Sequence, residues 1–185
     1  MWKFLKSCPE QCFSEDQFAF IGRSNVGKSS LINALARQKI ARISSTPGKT
    51  QLLNYYQTSQ NKLIVDLPGY GYARLSHVKK DQIESMIFNY FSKNSNILLV
   101  FLLIDSQIGF TDLDFSMIEF LVSLNIKVQI LANKIDKTNQ SQRSKLLKVC
   151  KNLSLECLNV SAKNGTNLDK IHQIINQEKN LPINS

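Results

Sequence analysis

The chain has 185 residues, 43% hydrophobic and 20% charged, with a net charge of +9 and four cysteines. That length suits one domain over 1–185, with a short N-terminal lead over 1–16, burying about 70% of its unfolded surface. Its longest apolar run, 97–104, is too short to cross a bilayer, and the N-terminus lacks a secretory signal. No membrane partner and a cytoplasmic address are therefore expected.

The first strand is expected at 18–21, where Phe18-Ala19-Phe20-Ile21 leads into Gly22-Arg23-Ser24-Asn25-Val26-Gly27-Lys28-Ser29-Ser30. This fits G-x-x-x-x-G-K-[ST] in its strand–turn–helix setting, since 31–35 continues as an apolar helix. A polar loop over 41–49 precedes strands at 50–57 and 62–67, whose short link at 58–61 predicts an antiparallel hairpin. The second of these strands closes in Asp66-Leu67-Pro68-Gly69. A helix over 78–93 turns Ile83, Met86, Ile87, Tyr90 and Phe91 to one face, and 97–104 reads as a buried strand. Thr111-x-x-Asp114 starts the next helix as a capping box. A strand over 127–132 ends in Asn133-Lys134-Ile135-Asp136, and a basic helix follows near 140–151. The last strand, 156–160, closes at Val160 before Ser161-Ala162-Lys163, and Thr166-x-x-Asp169 opens the final helix. This alternation predicts an α/β fold: a mostly parallel six-stranded sheet with one antiparallel strand and helices on both faces. Every motif lies at a strand's carboxyl end, where such folds bind ligands.

The residue types specify the chemistry. In the glycine-bearing loop, backbone N–H groups and the following helix N-terminus face phosphates, Lys28 adds a point charge, and Ser29 offers a hydroxyl to magnesium. Asp66 holds the same ion through water, and the Gly69 amide meets the terminal phosphate. Guanine presents two donors on one edge that a single carboxylate accepts, so Asp136 is the residue expected to select GTP over ATP. Asn133 ties that loop to neighbouring backbone, the Lys134 stem packs over the base, and the 161–163 segment supplies an N–H for the guanine carbonyl. Cys8, Cys12, Cys150 and Cys157 fit neither zinc spacing nor a secreted disulfide framework, and reduced thiols are expected. The basic surplus suits a polyanion such as RNA as well as it suits a solvated surface. It gathers at Lys137, Arg143, Lys145, Lys148 and Lys151, with Lys79 and Lys80 as a second group.

Three stretches narrow the family: 22–35, Thr46-Pro47-Gly48-Lys49-Thr50-Gln51-Leu52-Leu53-Asn54, and Asp66-Leu67-Pro68-Gly69-Tyr70-Gly71-Tyr72-Ala73. Together they resemble the EngB-type (YihA/YsxC) ribosome-biogenesis GTP-binding proteins of bacteria, among the TrmE/Era-like P-loop GTPases. Asn133 and Ala162 depart from the Thr and Ser that many members carry. The resemblance implies slow GTP hydrolysis with magnesium, in a monomeric, nucleotide-gated factor for large ribosomal subunit assembly. Its partners would be rRNA and ribosomal proteins, with normal cell division and septation as a consequence. It makes Thr50 the mobile-loop threonine that joins Ser29 on magnesium, with Thr46 the competing hydroxyl, and places Gly48, Lys49, Thr50, Gln51 and Leu52 along the nucleotide. Asn25 has two readings of equal standing, a potassium ligand or a turn residue. Tyr70 stands where many GTPases place a water-orienting glutamine, so intrinsic hydrolysis should be slow unless a partner or potassium assists. A GTP-dependent switch with negligible turnover, another Era-like GTPase class and an ATPase are the alternatives; Asp136 argues against the last.

Overall fold

The central strands form where short apolar runs are buried on both faces, and the helices where one face alone is apolar. The computed structural model describes residues 1–41, 52–71 and 75–177. In chain order these hold Lys3–Cys8 (β1), Gln17–Gly22 (β2), Lys28–Ala36 (α1), Leu53–Gln57 (β3), Leu63–Asp66 (β4), His77–Lys93 (α2), Ile97–Asp105 (β5), Asp112–Ser123 (α3), Val128–Asn133 (β6), Gln140–Asn152 (α4), Glu156–Asn159 (β7) and Leu168–Gln177 (α5). A single 3₁₀ turn, Ile135–Lys137, sits between β6 and α4.

The strands form one sheet in the order β1-β3-β4-β2-β5-β6-β7. β2 is central and parallel to both β4 and β5, and β6 and β7 extend the parallel array. β3 is antiparallel to β1 on one side and to β4 on the other, so it is the one reversed strand. The expected hairpin is present, and Thr58 N–H donates to the Lys62 carbonyl at 2.9 Å in its turn.

The sheet has seven strands rather than six because the N-terminal lead supplies β1. The lead is fixed at both ends. Trp2 is buried on one sheet face, with its ring edge-on to His172 at 6.0 Å, while Cys8 is buried on the other. Ser7 Oγ donates to Asn54 Oδ1 at 2.6 Å between the paired strands. Cys8 and Cys12 form a disulfide, so the expectation of reduced thiols is corrected there. Cys150 and Cys157 remain thiols.

Side chains alternate across β2. Phe18 and Phe20 pack with Leu31, Ile32 and Leu35 of α1 and Ile171 and Ile175 of α5. Ala19 and Ile21 pack with Ile83, Ile87 and Phe91 of α2, Ile118 and Leu121 of α3, and Leu146 of α4. This is a sheet covered on both faces, and its parallel strands all end on one side. No described helix is long and apolar enough to cross a membrane.

Candidate functional site

Gly22, Asp66, Asp105, Asn133 and Asn159 end five strands on that side, and the loops that follow them converge. The loop after β2 turns through Asn25 and Gly27, both left-handed, with φ of 66° and 98°. It delivers the chain into α1, whose N-terminus has no side-chain cap and no acidic residue in its first turn. The first-turn N–H groups and dipole end therefore face an environment suited to an anion. A Cβ on Gly27 would come within 2.6 Å of Asn133 Nδ2, so only glycine leaves the approach of the two loops intact.

Lys28 and Asp66 are both buried and form an ion pair. Burial pushes the Asp66 carboxyl above the ordinary range, and the Lys28 ammonium opposes that push. Ser29 and Ser30 sit beside them in the first turn of α1, half-buried. Among the described residues no cluster of three or more His, Cys, Asp or Glu side chains forms. One hydroxyl with one carboxylate suits magnesium, which keeps waters and takes phosphate oxygens rather than an all-protein cage.

Leu67, Pro68 and Gly69 are buried against the phosphate loop. Ser24 N–H donates to the Tyr70 carbonyl at 2.9 Å, and Tyr70 N–H to the Gly22 carbonyl at 3.3 Å. A Cβ on Gly69 would meet Ser24 N at 3.0 Å. Tyr70 is itself buried, and its hydroxyl donates to Asp114 Oδ1 at 2.7 Å. Burial first, and then Asp114, raise the Tyr70 phenol far above its usual range. Arg23 completes this cluster, with Nε 3.0 Å from Asp114 Oδ2. The expected capping box of α3 thus carries a second duty, because Asp114 also joins the phosphate loop to the segment after Gly69.

The base-side loop is tied to the same phosphate loop. Asn133 Nδ2 donates to the Val26 carbonyl at 3.0 Å, the backbone tie expected of it. Lys134, left-handed at φ 62°, places Nζ 2.9 Å from the Asn25 carbonyl and 2.7 Å from Asp105 Oδ2. Ile135 N–H donates to the Val160 carbonyl at 3.2 Å, joining this loop to the one after β7. Buried Ser161 donates its hydroxyl to Asp136 Oδ1 at 2.6 Å, and that bond lowers the Asp136 carboxyl below its ordinary value. Asp136 is exposed on a cleft of about 310 Å³ lined also by Gly27, Ser30, Lys134 and Ala162.

Gly27, Ser30, Asn133, Lys134, Asp136 and Ala162 line one cleft, while buried Asp66 and Tyr70 bond to the phosphate loop and Val160 and Ser161 to the base-side loop. Leu52 is exposed ahead of β3. Thr46, Gly48, Lys49, Thr50, Gln51, Tyr72 and Ala73 lie outside the described residues. Sequence reasoning missed Asp105, although a carboxylate closing an apolar strand beside the base-side lysine was a usable signal. It also named Arg143 only for its charge, and the side chain, though exposed, bonds back to Ile135 and Thr138.

A family model described as a 50S ribosome-binding GTPase matches residues 17–134. A probable GTP-binding protein EngB of Mesomycoplasma hyopneumoniae strain J is 59% identical over 175 residues, covering 95% of this chain and 88% of its own. The crystal structure of a probable GTP-binding protein EngB superposes with a TM-score of 0.72 at 26% identity, covering 87% of this chain and 99% of that one. A variant of Era from Aquifex aeolicus bound to GDP.AlF4- gives a TM-score of 0.74 at 26% identity, with 91% of this chain and 58% of that chain covered. The matched span runs from the first residue of β2 to Lys134. The chain belongs to the EngB family of GTP-binding proteins, GTPases of the 50S ribosome-binding type.

Proposed function

We propose that the cleft binds GTP with its base on Asp136 and its phosphates across the N-terminus of α1, and that the chain hydrolyses GTP slowly as a nucleotide-gated factor in large ribosomal subunit assembly. The observation that carries this reading is the exposed Asp136 carboxylate, its pKa lowered by the Ser161 bond, on a cleft lined also by Gly27 and Ser30. Phosphates arriving there draw Lys28 from Asp66. Ser29 and Thr50 would hold a magnesium ion, with Asp66 acting through water, and the ion would supply charge neutralisation at the terminal phosphates.

Slow turnover follows from Tyr70. Its hydroxyl is committed to Asp114, leaving that position no amide to orient an attacking water. In single-turnover phosphate release, the isolated chain should be slow, and ribosomal subunits or potassium should accelerate it. A fast, potassium-independent rate for the isolated chain would overturn this part. No acceleration by either would instead favour a binding switch with negligible turnover.

The ribosomal role is supported by the net charge of +9 and by Lys145, Lys148 and Lys151, all exposed on α4. We place the protein in the cytoplasm as a monomer, with cell division and septation depending on ribosome supply. Co-sedimentation with large subunits should be stronger with a non-hydrolysable GTP analogue than with GDP. Equal association in both states would remove nucleotide gating.

Removing the Ser161 hydroxyl should shift base recognition on the pH axis. The Asp136 carboxyl then rises toward its ordinary value, so Ser161→Ala should lose GDP at a higher pH than the wild type as pH falls. At pH 7 the loss should stay near three- to tenfold, within the roughly 0.5–1.5 kcal/mol net of a typical hydrogen bond, because the Ser161 bond is present with and without nucleotide and only its positioning of the carboxylate is lost. Titrating GDP affinity from pH 7 to pH 4 checks it, and coincident pH profiles would contradict it.

A further inference from the structure

The turn carrying Asp136 has little stability of its own. A single 3₁₀ turn makes few and poorly aligned internal bonds, and Ile135–Lys137 is three residues long, entered through left-handed Lys134. Yet its two ends are held from outside. The Arg143 guanidinium donates through Nη2 to the Ile135 carbonyl at 2.9 Å and the Thr138 carbonyl at 3.0 Å, and through Nε to Thr138 Oγ1 at 3.2 Å. Thr138 Oγ1 in turn donates to the Ile135 carbonyl at 2.9 Å. Arg143 is itself anchored, because Asn139 and Gln142 form a reciprocal capping box at the start of α4 and Arg143 N–H donates to the Asn139 carbonyl at 3.2 Å.

We propose that Arg143 is the positioning residue for guanine selectivity, clamping the backbone on both sides of Asp136 so that its carboxylate meets both donors of the base edge. The inference rests on the assignment of Asp136 to guanine. Arginine suits the task because its planar fork holds several fixed donors on one rigid plane, whereas a lysine offers a single point charge. Arg143 is exposed like Lys145, Lys148 and Lys151, but its Nε and Nη2 donors are turned back onto the turn.

The test measures GDP and IDP affinity for wild type, Arg143→Ala, Arg143→Lys, Asp136→Ala and the Arg143→Ala/Asp136→Ala double variant, with melting temperatures alongside. Inosine keeps the ring N–H of guanine but lacks the exocyclic amine, so it reads the loss of the second contact. Arg143→Ala should weaken GDP about tenfold and IDP markedly less, and Arg143→Lys should restore only part. In the Asp136→Ala background, Arg143→Ala should cost nothing further. Equal losses for GDP and IDP, or an undiminished loss without Asp136, would overturn the proposal by making Arg143 a structural support only. Should Arg143→Ala fail to fold, the GDP-to-IDP ratio of Arg143→Lys decides by the same criterion. If Asp136→Ala leaves GDP and IDP affinity as in the wild type, the base assignment itself has failed, a result distinct from Arg143 alone having no effect.

Discussion

Asp136→Asn is expected to weaken GTP by about a hundredfold or more, without improving ATP. The carboxylate accepts two donors from guanine, and each charge-assisted bond is worth about 1.5–3 kcal/mol. Together they correspond to a factor of roughly 10²–10⁴ in affinity. The asparagine amide keeps one acceptor and adds a donor, so it faces the exocyclic amine of guanine with like polarity. Xanthine carries a carbonyl in place of that amine, so XTP should be the triphosphate the variant gains. Competition among GTP, XTP and ATP for wild type and variant checks this. Unchanged preference for GTP would overturn the assignment of Asp136. The Ser161 bond should survive the substitution, since the amide oxygen still accepts it.

The second large effect is expected at Lys28. Lys28→Met removes the point charge from the phosphates and should abolish measurable triphosphate binding at micromolar concentrations. It also leaves Asp66 buried without its partner, and breaking one side of a buried pair costs about 3–5 kcal/mol. In a chain of this size that lowers the melting temperature by roughly 10 °C. The pH dependence has a definite sign. Burial already raises the Asp66 carboxyl above its unfolded value, near 3.9 for an aspartate. A group so raised favours the fold most at pH below its unfolded value, and that contribution disappears as pH climbs through the folded value. Without Lys28 the shift grows, so the variant's deficit should be larger at pH 8 than at pH 5. Thermal melts at both values check it, and equal deficits would contradict the account. Asp66→Leu in the Lys28→Met background should recover most of the stability, because apolar groups can replace a buried pair at little cost.

Much of the architecture was legible because its signals are local. The strand at Phe18–Ile21, the capping box at Thr111 and the helix facing Ile83, Ile87 and Phe91 depend on residues close in sequence, and all three stand where they were expected. β1 was not legible. Its strand is an edge with a mostly exposed burial pattern and an irregular register between Phe4 and Lys6, so its alternation is faint. The Cys8–Cys12 bridge depends on how that strand leaves the sheet, which C-x3-C spacing alone does not specify. Within the site, the sequence named the loops but not the bonds between them. Arg23 reaches Asp114 across 91 residues and Lys134 reaches Asp105 across 29, and no period or motif encodes such pairs. Arg143 was read by its charge, and its bonds to Ile135 and Thr138 were not legible.

Val26 finds its side-chain donor on Asn133, 107 positions later, and Asn25 finds its own on Lys134. Those partners are made late. A chain emerging from its own translation can thread β2 and wind α1 early, but the loop between them acquires its last supports only after β6 has been synthesised. Protection of the Val26–Gly27 segment against proteolysis should accordingly appear in stalled nascent chains only once residue 134 has cleared the exit tunnel.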